Sequence, residues 1–227
     1  AGDPDKTQKI TATLELLGYS LMSHTKHEKF ALLIGSGTNG KSVLLGLLEA
    51  LCGTENISGV QPSKFDSPFQ RAHMQYKLVN IVTELKQGVV IADAELKAIT
   101  SGELATVEHK NKDPFVMRPY STCWFGTNHL PHTRDFSDAF FRRAVVLTFN
   151  SVFSGSRRDP YLPDKLKAEL PGVLRLCLDA YATALEFGFT DPPSSEAAKK
   201  EWRLEADQVR QYVDDACVVD ASFREQI

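Results

Sequence analysis

The sequence predicts an α/β fold: a phosphate-loop NTPase-type core with a central parallel sheet, a helical N-terminal lead-in before it and a helical C-terminal region after it. Three observations carry that prediction. Residues 35–42 read Gly-Ser-Gly-Thr-Asn-Gly-Lys-Ser, a complete G-x-x-x-x-G-K-S string. The string lies between the apolar runs 30–34 and 43–52, the strand–loop–helix setting in which it cradles phosphates. Further short β-branched or aromatic runs alternate with helical patterns as far as Asn150, and beyond it only helical patterns remain.

Taken in order, residues 5–22 set Ile10, Leu14, Leu17 and Leu21 at helical spacing. His24 and His27 follow in a polar connector, expected as a solvated turn. The helix after the loop stops at Gly53, and Pro62 and Pro68 break any long element across 54–76. Residues 78–84, apolar and β-branched until Glu84, form a buried parallel strand. Residues 93–100 form a short helix. Residues 105–109 and 115–119 flank the basic tip 110–114 in a hairpin. Residues 122–127 make a strand ending at Asn128, and residues 144–149 make another behind Arg142-Arg143.

A polar connector at 155–163 leads to two apolar stripes, both expected as packing faces. One is Val173, Leu174, Cys177, Leu178, Tyr181 and Leu185. The other is Trp202, Ala206, Val209 and Val213, with Ser194 as the helix cap. The divisions are therefore 1–27 for the lead-in, 28–150 for the core and 151–227 for the helical end.

Composition narrows the partners. The chain has 227 residues, 42% hydrophobic and 24% charged, as in ordinary globular proteins. A net charge of −3 argues against coating duplex DNA by bulk charge, yet leaves room for nucleic acid held by a few lysines. Cys52, Cys123, Cys177 and Cys217 are far apart in apolar contexts, which suits reduced thiols in a cytoplasmic compartment and no metal cluster. No apolar run is long enough to cross a membrane and no signal-peptide pattern opens the chain. It begins Ala1-Gly-Asp-Pro-Asp, without Met, and is expected to be a piece of a longer protein.

The chemistry follows from residue types and places. Gly35, Ser36, Gly37, Thr38, Asn39, Gly40, Lys41, Ser42 and Val43 would form the phosphate cradle. Lys41 reaches the β- and γ-phosphates, and the Ser42 hydroxyl serves Mg²⁺. Glu84, at a strand end, is placed to orient the attacking water and help organise the metal. Thr83 stands where many motors carry a second acid. Asn128, at another strand end, can hydrogen-bond the γ-phosphate or the water, or simply start the turn before Pro131. Arg142 and Arg143 can stabilise transition-state charge, in trans if subunits form a ring, or form a solvated pair. Lys110 and Lys112 at the hairpin tip can meet nucleic-acid phosphates.

Together these residues resemble the superfamily 3 helicase domain of phage and plasmid primase-helicases, a group that includes the poxvirus primase-helicase. The likeness runs from Gly2-Asp-Pro and Gly18-Tyr19 through the Asn39-Gly-Lys-Ser42 core, Asn80-Ile-Val-Thr-Glu84 and Ile99-Thr-Ser-Gly102. It continues through Asn128 with Leu130-Pro131, Phe141-Arg-Arg143, Gly172-Val-Leu174 and Glu205-Ala-Asp207. The resemblance implies an AAA+-type ATPase that uses ATP and Mg²⁺ and assembles as a hexameric ring. It would translocate on single-stranded DNA at a replication fork, in a host cytoplasm, with a primase domain on the same full-length chain. It further implies Lys41 and Ser42 for phosphate and metal, Glu84 for water activation and Asn128 as γ-phosphate sensor. Arg142, then Arg143, would be the finger into the neighbouring site, and Lys110 and Lys112 the DNA-contacting loop. Two other classes use the same loop: a small-molecule or nucleotide kinase, and a scaffold that binds nucleotide only to assemble. The arginine pair just before a core strand favours a finger over a kinase lid, and the Lys41/Glu84 pair disfavours the scaffold.

Overall fold

The computed structural model describes residues 3–207. In chain order the helices are α1 (Lys6–Ser20), α2 (Lys41–Cys52), α3 (Pro68–Ala72), α4 (Asp93–Ser101), α5 (Asp138–Phe141), α6 (Leu162–Ala168), α7 (Leu170–Phe187) and α8 (Pro193–Ala206). The strands are β1 (Phe30–Ile34), β2 (Ile57–Ser58), β3 (Val79–Val82), β4 (Ala105–Val107), β5 (Phe115–Met117), β6 (Thr122–Thr127) and β7 (Ala144–Thr148). Five strands form one parallel sheet in the order β2-β3-β6-β1-β7, and β4 and β5 form the separate antiparallel hairpin.

The central strands are apolar on both faces because both faces are covered. Along β1, Phe30 and Leu32 enter one core with Phe65, Leu96, Phe125 and Trp202, while Ala31 and Leu33 enter the other with Leu17, Leu48 and Trp124. The two-residue β2 owes its place to a side chain. Buried Asn80 accepts from the Val60 amide at 2.8 Å and donates to the Val60 carbonyl at 2.9 Å. Periodicity does not reveal such a strand.

The lead-in and α7 share the second core. α1 crosses α7 so closely that a methyl group on Gly18 would come 2.3 Å from the Cys177 carbonyl oxygen. Glu15, buried in α1, accepts from the Thr190 amide at 2.7 Å and its hydroxyl at 2.8 Å. Ser194 is not the cap of α8. The helix begins at Pro193, and it is the carboxylate of Asp5 that accepts from the Ser194 amide at 2.7 Å. The stripe expected on α7 is narrower than its composition suggests. Cys177, Tyr181 and Ala184 are buried against α1, whereas Leu174, Leu178 and Leu185 lie outside that line and are exposed. In the second stripe Trp202 is buried, with its indole N–H on the Pro131 carbonyl at 2.6 Å, while Val209 and Val213, like Cys217 and Gly2, lie outside the described residues.

His24 and His27 are not a solvated turn. Both are half-buried, and their Nε2 atoms lie 3.3 and 3.1 Å from the one hydroxyl of Tyr181, among the rings of Tyr19 and Phe189. Burial, helped by nearby Lys26, lowers both imidazoles below their ordinary 6.5. Between that value and the lowered folded one, the unfolded chain binds protons that the folded chain refuses, so stability drops as pH falls from 6.5. Thermal melts should therefore show Tm declining from pH 7 to pH 5, and His24→Asn with His27→Asn should flatten that decline. An unchanged slope in the double variant would assign the decline to other groups.

Candidate functional site

The strand order decides which loops meet. β6 lies between β1 and β3, so the carboxyl ends of these three parallel strands lie side by side. Ligands gather at that edge in open parallel sheets. β1 leads into the phosphate loop, where Gly37, Thr38 and Gly40 take left-handed φ of 94°, 47° and 95°. Those turns curl the backbone into a nest of N–H groups at the start of the twelve-residue α2. Gly35 admits no side chain, because a methyl there would stand 2.5 Å from the Phe149 carbonyl oxygen. Asn39 is buried and donates to that same oxygen at 3.3 Å, and the Phe153 amide donates to the Thr38 carbonyl at 2.8 Å. The segment after β7 thus braces the loop.

Lys41 opens α2 with its side chain buried. Its ammonium donates to the Gly35 carbonyl, to Asn39 Oδ1 at 3.3 Å and to Asn128 Oδ1 at 3.1 Å. Burial lowers its pKa from the ordinary lysine value, and the charge of Glu84 opposes the shift. Asn128, just past β6, turns its amide nitrogen the other way and donates to Glu84 Oε1 at 3.2 Å. Sequence positions 41, 84 and 128 thus form one chain of contacts, Lys41–Asn128–Glu84. Ser42, the next residue along α2, is exposed. An ammonium, an N–H nest, a hydroxyl and an exposed carboxylate are groups that could meet a triphosphate and a divalent ion, Ser42 and Glu84 as oxygen ligands and Lys41 as the opposing charge.

Gly126 is a site residue that motif reading overlooks. A methyl there would come 2.3 Å from the Thr83 carbonyl oxygen, and the Leu85 amide donates to the Gly126 carbonyl at 2.8 Å. This close approach of β6 to the end of β3 sets Glu84 beside Asn128. A glycine inside a buried strand is the signal that points to it. Next to the loop, a cavity of about 480 Å³ opens between α1, α2 and residues 147–153. Ile10, Leu14, Leu44 and Phe149 line it, with Thr13 and Asn150 supplying polar atoms. Its size suits a small organic ligand.

The remaining candidates stand elsewhere. Arg142 and Arg143 lie at the amino-terminal end of β7, where the Phe30 amide donates to the Arg143 carbonyl at 2.8 Å. The length of β1, five residues or roughly 16 Å, separates them from the phosphate loop. Arg143 is buried and donates to the Ala139 carbonyl, to Ser101 Oγ at 2.9 Å and to Glu28 at 2.7 Å. Arg142 is 65% exposed and pairs with Glu28 alone among the described residues, at 3.1 Å. Lys110 and Lys112 are exposed at the tip of the β4–β5 hairpin, where Asn111 turns the chain with φ 60°. Among the described residues no group of side chains is arranged to hold a metal ion by itself, and no helix is long and apolar enough to cross a membrane.

A family model described as a family of unknown function, DUF5906, matches residues 33–143, from the end of β1 through Arg143. A protein of Acanthamoeba polyphaga mimivirus named "Putative helicase" is 26% identical over 246 aligned positions, which cover 95% of this chain and 25% of that protein. Among solved structures, an A-form apo structure of the NrS-1 C-terminal region superposes with a TM-score of 0.66 at 17% identity, over 93% of this chain and 53% of that one. A second apo structure of the same region gives 0.53 at 17% identity, over 95% and 59%. The chain therefore spans a quarter of the length of the curated relative and little more than half of the solved chains.

Proposed function

We propose that this chain, whose fold is that of a superfamily 3 helicase-like domain, is the ATP-hydrolysing motor of a replicative DNA helicase. The observation that carries the reading is the contact chain Lys41–Asn128–Glu84 at the carboxyl ends of three adjacent parallel strands. Lys41 and the nest bind the β- and γ-phosphates, and the cavity beside the loop takes the nucleoside. Ser42, with help from Glu84, would hold Mg²⁺, and the ion would supply neutralising charge beside the phosphates. Glu84 orients the attacking water, and Asn128, touching both partners, links the state of the γ-phosphate to Glu84.

One site is then incomplete, since the arginine that would stabilise the transferring phosphoryl lies at the far edge of the sheet. We assign that role to Arg142 acting in a neighbouring subunit, because Arg143 is buried and bound on three sides. Six copies in a ring would bring the Lys110/Lys112 tips together around single-stranded DNA, which reconciles DNA binding with a subunit of net charge −3. The full protein would carry a primase domain and work in the host cytoplasm.

The test measures ATP hydrolysis with and without single-stranded DNA, alongside mass in solution. Turnover stimulated by DNA in an assembly of about six subunits is expected. Lys110→Ala with Lys112→Ala should weaken DNA binding and lower its salt slope. A monomer indifferent to DNA that consumes ATP only with a small-molecule acceptor would replace this reading with a kinase.

A further inference from the structure

Near the end of the connector between α1 and β1, Glu28 takes φ 52° although it is not a glycine. Ordinary residues keep that left-handed conformation where their surroundings over-determine it. Here the Glu28 amide donates to the Thr25 carbonyl at 3.0 Å, and its carboxylate meets the two arginines. Glu28 Oε2 accepts from Arg143 Nη2 at 2.7 Å and from Arg142 Nη2 at 3.1 Å. The backbone is held at the same place, since Lys29 Nζ donates to the Arg142 carbonyl at 2.9 Å and the Phe30 amide to the Arg143 carbonyl at 2.8 Å. Arg143 is in turn fixed to α4 and α5 through Ser101 Oγ and the Ala139 carbonyl.

The connections run in one direction, from a buried post to an exposed tip. Arg143 is 9% exposed, Glu28 34% and Arg142 65%. An ion pair as exposed as Glu28–Arg142 adds little stability. Its effect is geometric: it occupies one nitrogen of a long, freely rotating side chain and leaves the other donors of the guanidinium for a second anion.

We propose that Glu28 is a positioning residue for Arg142. Arg143 anchors the carboxylate, and the carboxylate aims Arg142 outward from the amino-terminal edge of the sheet, ready for the phosphates bound by the next subunit. This rests on the assignment of Arg142 to the neighbouring site. A misplacement of an ångström in such a group costs up to about a hundredfold in rate, which sets the scale of what Glu28 controls.

Glu28→Gln and Arg142→Ala, each alone and each mixed with Lys41→Ala subunits, test it by ATP turnover and mass in solution. Glu28→Gln should lower kcat about ten- to a hundredfold with KM for ATP and assembly unchanged. Adding it to Arg142→Ala should cost nothing further. Mixing with Lys41→Ala should restore turnover to both variants, because the Lys41→Ala subunit has no working loop of its own yet donates an intact Glu28–Arg142 pair to a sound loop next door. Three results would overturn the proposal while leaving Arg142 as the trans residue: an unchanged kcat in Glu28→Gln, loss of assembly in that variant, or restoration of Arg142→Ala but not of Glu28→Gln. Failure of Lys41→Ala to restore Arg142→Ala would overturn the trans assignment itself.

Discussion

Replacing Lys41 by alanine is expected to abolish ATP hydrolysis, by at least about 10³-fold, or roughly 4 kcal/mol of transition-state stabilisation. The expected size follows from the position of the ammonium. It is buried at the first residue of α2 and faces the Gly35 carbonyl, Asn39 Oδ1 and Asn128 Oδ1, all uncharged oxygens. Burial depresses its pKa, so the folded chain pays to keep a proton there, and a phosphate arriving in the nest offers the ammonium a stronger partner than those three. Alanine removes that charge from the point where the phosphoryl group gains negative charge, and no water can replace it at the same geometry. Nucleotide affinity should fall as well, while thermal melting of the unliganded protein should move little. Turnover within about tenfold of the parent would show that another cation serves the phosphates.

Glu84→Gln should separate binding from chemistry. Glutamine keeps an oxygen that can accept from Asn128 Nδ2, so the contact now measured at 3.2 Å survives and the loop stays in place. What disappears is a carboxylate able to take a proton from water, typically worth about 10²- to 10⁴-fold. The expected result is tight ATP binding with single-turnover hydrolysis slowed by that factor. A variant that hydrolyses at the parent rate would move the water-activating role away from Glu84.

Most of the core could be read from the chain because its strands are buried on both faces, which makes β1, β6 and β7 continuous apolar runs with sharp ends. The end of β6, and likewise that of β3, made Asn128 and Glu84 visible as candidates, and the phosphate loop announced itself. Elements held by something other than their own periodicity stayed hidden. The two residues of β2 depend on the Asn80 side chain, and α8 is capped by Asp5, 189 positions away. The histidines at 24 and 27 looked polar in sequence and became half-buried because Tyr181 comes from the other end of the chain to meet them. On α7, apolar spacing marked a wider stripe than the narrow contact with Gly18 can cover. In the site, Gly126 could be recognised only once β6 was seen to press against Thr83, and Glu28 only once its carboxylate was seen between two arginines 114 and 115 residues further on.

All five strands of the sheet run the same way, and the two halves of the proposed chemistry sit at its two ends. A twofold pair joined arginine to loop would complete two sites and stop at two, whereas a head-to-tail contact leaves one arginine and one loop for further subunits. The proposed ring is built from head-to-tail contacts, which either close on themselves or grow into an open filament, according to the turn made at each step. A closed assembly of this sort has a front and a back. In the proposed ring, a nucleic-acid strand passing through would meet every subunit in the same orientation.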